Sequence, residues 1–319
     1  MSTLSAVETA ALLPYAPLVA ALRDAALELA AGKIACPQRH VLPMGEGAAL
    51  LSMLAVGADI GVHKLVAVVP QNRGRGLPTI QGQVSVVRAD TGELLLALDG
   101  ATVTGRRTAA LSMLGVATLA ATLPRCVLLY GTGAQALHHL QALAALYPAA
   151  RVHVIGHAPG SAEAFCKAHA GSLLALSPAT ADAVASDTDL VITCTTSPEP
   201  VYRAGARAGR LVIAVGAYTP VCAEIDASTV SGSALFVDDM TNARHEAGDL
   251  IRAQVDWTQV RSIADAIGVR ESNGGRSAHG AHSVATLLKT VGSAAWDLAA
   301  GRVAVASAVG AAVGVTNLS

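Results

Sequence analysis

The stretch Cys126 to Ala136, CVLLYGTGAQA, constrains the fold of this chain more than any other. An apolar run ends in Gly131-Thr132-Gly133 and opens onto ALHHLQALAAL, whose apolar positions recur at helical spacing. That order predicts a strand, a tight turn and a helix, the first unit of a dinucleotide-binding α/β fold. Gly131 can take the backbone angles of the turn, and Gly133, without a side chain, lets a pyrophosphate approach the main chain. The helix start, Ala134-Gln135, adds free N–H groups and a partial positive charge. Ala136 stands where a third glycine often sits and is small enough for close packing of helix on strand.

A Gly-rich turn alone is a weak signal, and its surroundings strengthen it. Further strand-like runs occur at Arg151 to Ile155, Asp189 to Thr193, Arg210 to Val215 and Ala234 to Val237, with helical stretches between most of them. Such alternation predicts a parallel sheet covered by helices, a Rossmann-type doubly wound domain.

Upstream, Ser5 followed by Glu8 has the form of a capping box for a first helix, and Pro17 to Ala31 predicts a second, closed by Gly32. After Cys36-Pro37-Gln38-Arg39 comes a region rich in glycine and β-branched residues. Gly61 to Val69, Gln81 to Arg88 and Leu94 to Asp99 read as strands, the last two joined by Ala89-Asp90-Thr91-Gly92. A helix is expected from about Arg107 to Leu123. Another, Ser283 to Ala300, is expected to follow the loop Asn273-Gly274-Gly275 and return to the first domain. The expected organisation is an α+β substrate and dimerisation domain at 1–119, completed by 283–319, around a nucleotide domain at 120–282.

Composition narrows the partners. With 319 residues, 52% hydrophobic and only 14% charged, the chain can bury a large core and has apolar surface to spare for a subunit interface. A formal net charge of -1 offers no basic face for nucleic acid or an anionic membrane. Small molecules and a second copy are the expected partners. Five cysteines without a C-x-x-C pair argue against a disulfide framework, and the opening MSTLSAVETAALLPY lacks the basic start of a secretory signal, so a cytoplasmic location is expected. The most apolar segment, Val303 to Val315, is short for a bilayer span.

Three cations stand in apolar or turn-rich settings: Arg39 in PQRHVLP, Lys64 in IGVHKLVAVVP and Arg107 in TGRRTAAL. Burying a cation is costly unless an acid or an anionic ligand faces it. The residues alone fit either partner.

Taken in order, Pro37-x-Arg39, Lys64, Gln71 to Thr79 (QNRGRGLPT), Arg107-Thr108-Ala109-Ala110, GTGAQA, Val215-Gly216-Ala217, Lys289-Thr290-Val291-Gly292 and Asp297 resemble the ornithine cyclodeaminase and mu-crystallin family over nearly the whole chain. The resemblance implies that Arg39, Lys64 and Arg107 surround the carboxylate of an amino-acid-like substrate beside a nicotinamide. Two guanidinium forks can grip a carboxylate, and an ammonium adds a movable proton. It also implies coenzyme contacts at Gly131, Thr132, Gly133, Ala134, Gln135, Thr195, Gly216 and Ala217.

Within such a family, cyclodeaminases carry an aspartate after Val215-Gly216-Ala217, where this chain has Tyr218-Thr219-Pro220. A tyrosine is not an anionic base at neutral pH. The GAxTP form is similar to bacterial reductases of cyclic ketimines, which turn 1-pyrroline-2-carboxylate and 1-piperideine-2-carboxylate into L-proline and L-pipecolate, and Tyr218 and Thr219 join the expected catalytic residues. The alternatives are an ornithine cyclodeaminase, an alanine-dehydrogenase-like enzyme, or a non-catalytic mu-crystallin-like protein that binds NADPH and a ligand.

Coenzyme choice is read after the second nucleotide strand, where an acid would hold the ribose 2′-hydroxyl of NAD. Gly156-His157-Ala158 has no acid there, and His157 occupies the place of an arginine in mu-crystallin-like relatives. NADPH is the expected coenzyme, with NADH as the alternative. No metal is expected: His279 and His282 in HGAH lack further ligands. Of His138-His139, one is expected to face solvent and the other to pack, since neighbours on a helix point in different directions.

Overall fold

A computed structural model describes residues 2–181, 186–272 and 284–316, apart from the side chains of Arg73 and 311–316. Two compact units emerge, Met1–Leu111 with Ser293–Ser319, and Ser112–Gly292. The changeovers between them fall after Leu111 and Gly292.

The first unit begins with α1 (Ala6–Ala11) and α2 (Tyr15–Ala30). The Ser5–Glu8 capping box is formed in both directions, and Gly32 takes a φ of 69° just beyond α2. Five strands follow, β1 (His40–Gly45), β2 (Ala48–Val56), β3 (Ile60–Val68), β4 (Ile80–Arg88) and β5 (Leu94–Asp99), each antiparallel to the next. The β1–β2 hairpin was not assigned from sequence. Its turn Gly45-Glu46-Gly47 has three successive positive φ values, and glycines supply two of them at little cost.

Next comes α3 (Gly100–Leu119). It starts seven residues before the expected Arg107, because the Asp99 side chain accepts the Thr102 N–H at 2.7 Å and so caps the helix. Residues up to Leu111 belong to the first unit, the rest to the second.

In chain order the second unit adds β6 (Cys126–Tyr130), α4 (Ala134–Leu146), β7 (Arg151–Ile155), α5 (Ser161–Ala168), β8 (Ala175–Ala179), β9 (Leu190–Thr193) and β10 (Leu211–Ala214). It continues through α6 (Ala227–Ser231), β11 (Ala234–Val237), α7 (Met240–Glu246), α8 (Gly248–Arg252), β12 (Arg261–Ser262), α9 (Ile263–Ser272) and β13 (Thr286–Lys289). Its eight strands are all parallel, in the order β12-β11-β13-β10-β9-β6-β7-β8. The order reverses at β6, since β7 lies on one side and β9 on the other. Ligands of open α/β sheets bind at the strand ends beside such a reversal.

The expected helix from Ser283 to Ala300 is corrected. Residues 286–289 form β13, a fully buried strand between β10 and β11, and α10 (Ala294–Thr316) starts only afterwards. A short apolar run buried on both faces carries no alternation, so its sequence does not separate strand from helix.

α10 returns the chain to the first unit, where it packs on α2, β2 and β3. Gly301 permits that approach: a Cβ there would lie 3.1 Å from Val62 and 3.2 Å from Ile60. Among the described residues no helix is long and apolar enough to cross a membrane.

Candidate active site

Alternation along β3 puts Ile60, Val62, Lys64 and Val66 on the face that α10 covers, and all four are buried. Lys64 therefore occupies a position where the pattern would otherwise place an apolar residue. Its register partners, Met53 on β2 and Val84 on β4, are buried with it.

A lysine so placed requires an acid. Asp297, in the first turn of α10, brings Oδ2 to 2.7 Å from Lys64 Nζ, and its Oδ1 accepts Arg107 Nε at 3.3 Å. Arg107 projects from the first-unit half of α3 and is 6% exposed, while Asp297 is 0% exposed. Burial pulls the Lys64 pKa down from 10.5 to about 8. Asp297 works against that pull, and Arg107 and Arg39 add to it. The structure thus gathers Lys64, Arg107 and Asp297, with Arg39, half-buried just before β1, close enough for its charge to act on the lysine. Lys64 and Arg107 share the single carboxylate of Asp297, an arrangement with a positive balance that suits an anionic ligand.

Sequence reasoning had noted Asp297 without giving it a task. The available signal was a single acid in the otherwise uncharged run Ala294–Ala300.

In the second unit the Gly-rich turn has the geometry its sequence implied. Gly131 has a φ of 114°, and a Cβ on it would come within 2.6 Å of the Cys194 carbonyl, so the turn lies against the end of β9. Gly133 differs, since a Cβ there would meet nothing within 4 Å. It caps α4 without a side chain, leaving open space over the first-turn N–H groups, where a pyrophosphate would fit. Ala136 is fully buried. Gly156 serves packing, because a Cβ on it would strike Ser161 Oγ at 2.1 Å, and His157 beyond it is exposed.

Thr195, Gly216 and Ala217 are brought together by a residue the sequence reading missed. Glu224, 0% exposed, accepts Thr195 N–H at 2.6 Å, Thr195 O–H at 2.8 Å, Gly216 N–H at 2.6 Å and Ala217 N–H at 3.2 Å. Tyr218, just beyond, is 45% exposed, and Thr219 carries a buried hydroxyl oxygen with no hydrogen-bond partner.

His139 is fully buried, with Nε2 2.8 Å from Ser112 Oγ and Nδ1 2.7 Å from the Gln135 carbonyl. Burial lowers its pKa to about 4, so it is a neutral strut. His138 is half-buried, short of the expected solvent exposure. His279, His282 and the loop Asn273-Gly274-Gly275 lie outside the described residues, among which no group of three potential metal ligands occurs.

Over 300 residues the chain is 53% identical to Delta(1)-pyrroline-2-carboxylate reductase 2 of Burkholderia ambifaria, covering 94% of this chain and 93% of that protein. It is 52% identical to the Delta(1)-pyrroline-2-carboxylate/Delta(1)-piperideine-2-carboxylate reductase of Azospirillum brasilense, with 94% and 93% covered. Among solved structures, Thermococcus litoralis Delta(1)-pyrroline-2-carboxylate reductase in complex with NADH and L-proline matches with a TM-score of 0.88 at 25% identity, over 98% of each chain. A family model matches residues 1–310, and the chain belongs to the ornithine cyclodeaminase/mu-crystallin family.

Proposed function

We propose that this chain reduces 1-pyrroline-2-carboxylate and 1-piperideine-2-carboxylate to L-proline and L-pipecolate. The observation that carries the reading is the buried Lys64–Asp297–Arg107 cluster in a chain more than half identical to a reductase of that class. In the balanced reaction, cyclic imine, NAD(P)H and a proton give the cyclic amino acid and NAD(P)+. When bound, the reduced nicotinamide supplies the hydride that C2 of the imine receives.

The chain's own residues do the rest. Arg39 and Arg107 hold the substrate carboxylate, which fixes the ring and turns an encounter into a reactive geometry. Lys64, charged at neutral pH with a pKa near 8, donates toward the imine nitrogen or the carboxylate, and Asp297 keeps its ammonium in place. Tyr218 and Thr219 border the substrate. Gly131, Thr132, Gly133, Ala134 and Gln135 receive the coenzyme pyrophosphate at the start of α4, and Thr195, Gly216 and Ala217 line its nicotinamide half. NADPH is the preferred form, since the exposed His157 can meet a 2′-phosphate and no acid stands in Gly156–Gly160 to repel it.

We further propose a homodimer formed through the first unit. Leu42, Leu54, Val56 and Leu65 lie on the sheet face opposite Lys64, and all are exposed. An open apolar sheet face of this kind is what a two-fold interface covers. The five cysteines are free thiols, in keeping with a reducing cytoplasm.

The test is loss of NADPH absorbance on adding each imine, with product chirality determined. L-Proline and L-pipecolate are expected. No turnover with either imine and either coenzyme would sink the reading.

A further inference from the structure

We propose that Glu224 is a positioning residue for the coenzyme: it touches no ligand itself and clamps together the two loops that receive the nicotinamide half. The inference rests on the reading above that Thr195, Gly216 and Ala217 contact the coenzyme.

The loops in question leave the C-terminal ends of β9 and β10, neighbours in the parallel sheet beside the reversal at β6. Four donors from these loops converge on one buried carboxylate. One oxygen takes the Thr195 N–H and O–H, and the other takes the Gly216 and Ala217 N–H groups. Without Glu224, Gly216 N–H and Thr195 N–H would face each other as unpaired donors shut off from water.

The approach of the loops is as close as backbone allows. A Cβ on Gly216 would fall 2.0 Å from the Thr195 carbonyl oxygen and 2.7 Å from Glu224 Oε1, so glycine is required there for contact between loops. The residue before Thr195, Cys194, carries the carbonyl against which Gly131 is pressed. The clamp therefore extends from the β10 loop through the β9 loop to the pyrophosphate turn.

Glu224 is itself fixed from behind. Its backbone N–H and that of Ile225 donate to Asp249 Oδ1 at 2.6 and 2.8 Å. Asp249 Oδ2 lies 2.9 Å from Lys289 Nζ, with both side chains 0% exposed. Lys289 ends β13, the other neighbour of β10. A buried ammonium on one strand thus braces, through Asp249, the carboxylate that sets the loops of the next two strands. The two buried acids accept six hydrogen bonds between them, and Asp249 also pairs with a buried cation, more than core packing calls for. Such a net is expected where loop positions must be held to a fraction of an ångström for a ligand.

Glu224→Gln keeps the shape but turns one acceptor into an amide donor facing the N–H groups of one loop. The KM and dissociation constant for NADPH should rise at least about tenfold, while the imine KM at saturating coenzyme changes less than about threefold. Ile267→Ala, a cavity variant in α9 of the same unit, controls for lost fold stability and should leave coenzyme affinity near the parent value. If Glu224→Gln does not fold, Glu224→Asp keeps the charge, shortens the arm and should show the same split. Coenzyme affinity close to the parent's, or a loss matched by Ile267→Ala, overturns the proposal. Coenzyme binding is read by NADPH fluorescence without turnover, so a parent that binds coenzyme yet reduces no imine defeats the reductase reading alone. A parent that binds no coenzyme defeats both.

Discussion

Lys64 and Asp297 meet at 2.7 Å, Nζ to Oδ2, with both side chains withdrawn from water. The pair joins the middle strand of an antiparallel sheet to the first turn of the helix that covers it. An ion pair so buried contributes little net stability, because desolvation offsets most of the attraction. It holds a lysine whose pKa burial brings down to about 8, a range suited to proton transfer near neutral pH.

A pH dependence follows from the direction of that shift. Burial lowers the Lys64 pKa, so the ammonium predominates below about 8 and is lost as the pH rises through that value. Imine kcat/KM should therefore fall on the alkaline side with an apparent pKa near 8. Asp297 is what raises the lysine against burial, so Asp297→Asn should move this limb to lower pH by about one pH unit or more. A limb that stays in place would remove Lys64 from the proton-donating role.

Arg107→Ala should raise the imine KM about ten- to a hundredfold, since a charge-assisted hydrogen bond is worth about 1.5–3 kcal/mol. NADPH affinity should stay at the parent value, because the coenzyme contacts proposed above are at Gly131–Gln135, Thr195, Gly216 and Ala217, and Arg107 is assigned to the substrate carboxylate alone. Steady-state kinetics with each substrate varied in turn separates the two. Unchanged imine KM would mean that Arg107 only neutralises Asp297.

Coenzyme preference should respond to position 157. His157→Arg is expected to raise the kcat/KM ratio of NADPH over NADH, and His157→Asp to lower it by about tenfold or more through repulsion of the 2′-phosphate. Equal ratios in all three proteins would place the 2′-phosphate elsewhere.

Leu54→Glu with Leu65→Glu puts two charges on the open face of the first unit's sheet, where both leucines are already exposed. The fold should persist and the mass by light scattering should halve. A mass unaffected by both changes would exclude this face as the interface.

Much of the second unit was legible because its signals are local. The strand–turn–helix of Cys126–Leu146 is written in consecutive residues, and β7 and β11 fall where an apolar run is bounded by turn residues. β13 was hidden, since a strand buried on both faces lacks the alternation that distinguishes it. The β1–β2 hairpin was hidden for the converse reason: every residue of β1 is exposed, so no face of it is marked by burial. At the site, the cations stood out through their apolar settings. The tasks of Asp297 and Glu224 did not, because Lys64 lies far from Asp297 in sequence and Thr195 far from Glu224, and only the fold brings each pair together.

The two glycines of the Gly-rich turn should fail differently when replaced by alanine. Gly131→Ala forces a side chain onto a φ of 114° and within 2.6 Å of the Cys194 carbonyl. It should cost about 1–3 kcal/mol or more and lower the melting temperature. Gly133→Ala meets no protein atom within 4 Å, so the fold should be as stable as the parent's. The new methyl would instead stand in the space over the first turn of α4, where the pyrophosphate must approach the N–H groups. NADPH affinity should therefore fall at least about tenfold at an unchanged melting temperature. Calorimetry and coenzyme titration on both variants check the contrast. A Gly133→Ala protein that binds NADPH like its parent would show that the coenzyme does not lie against this turn.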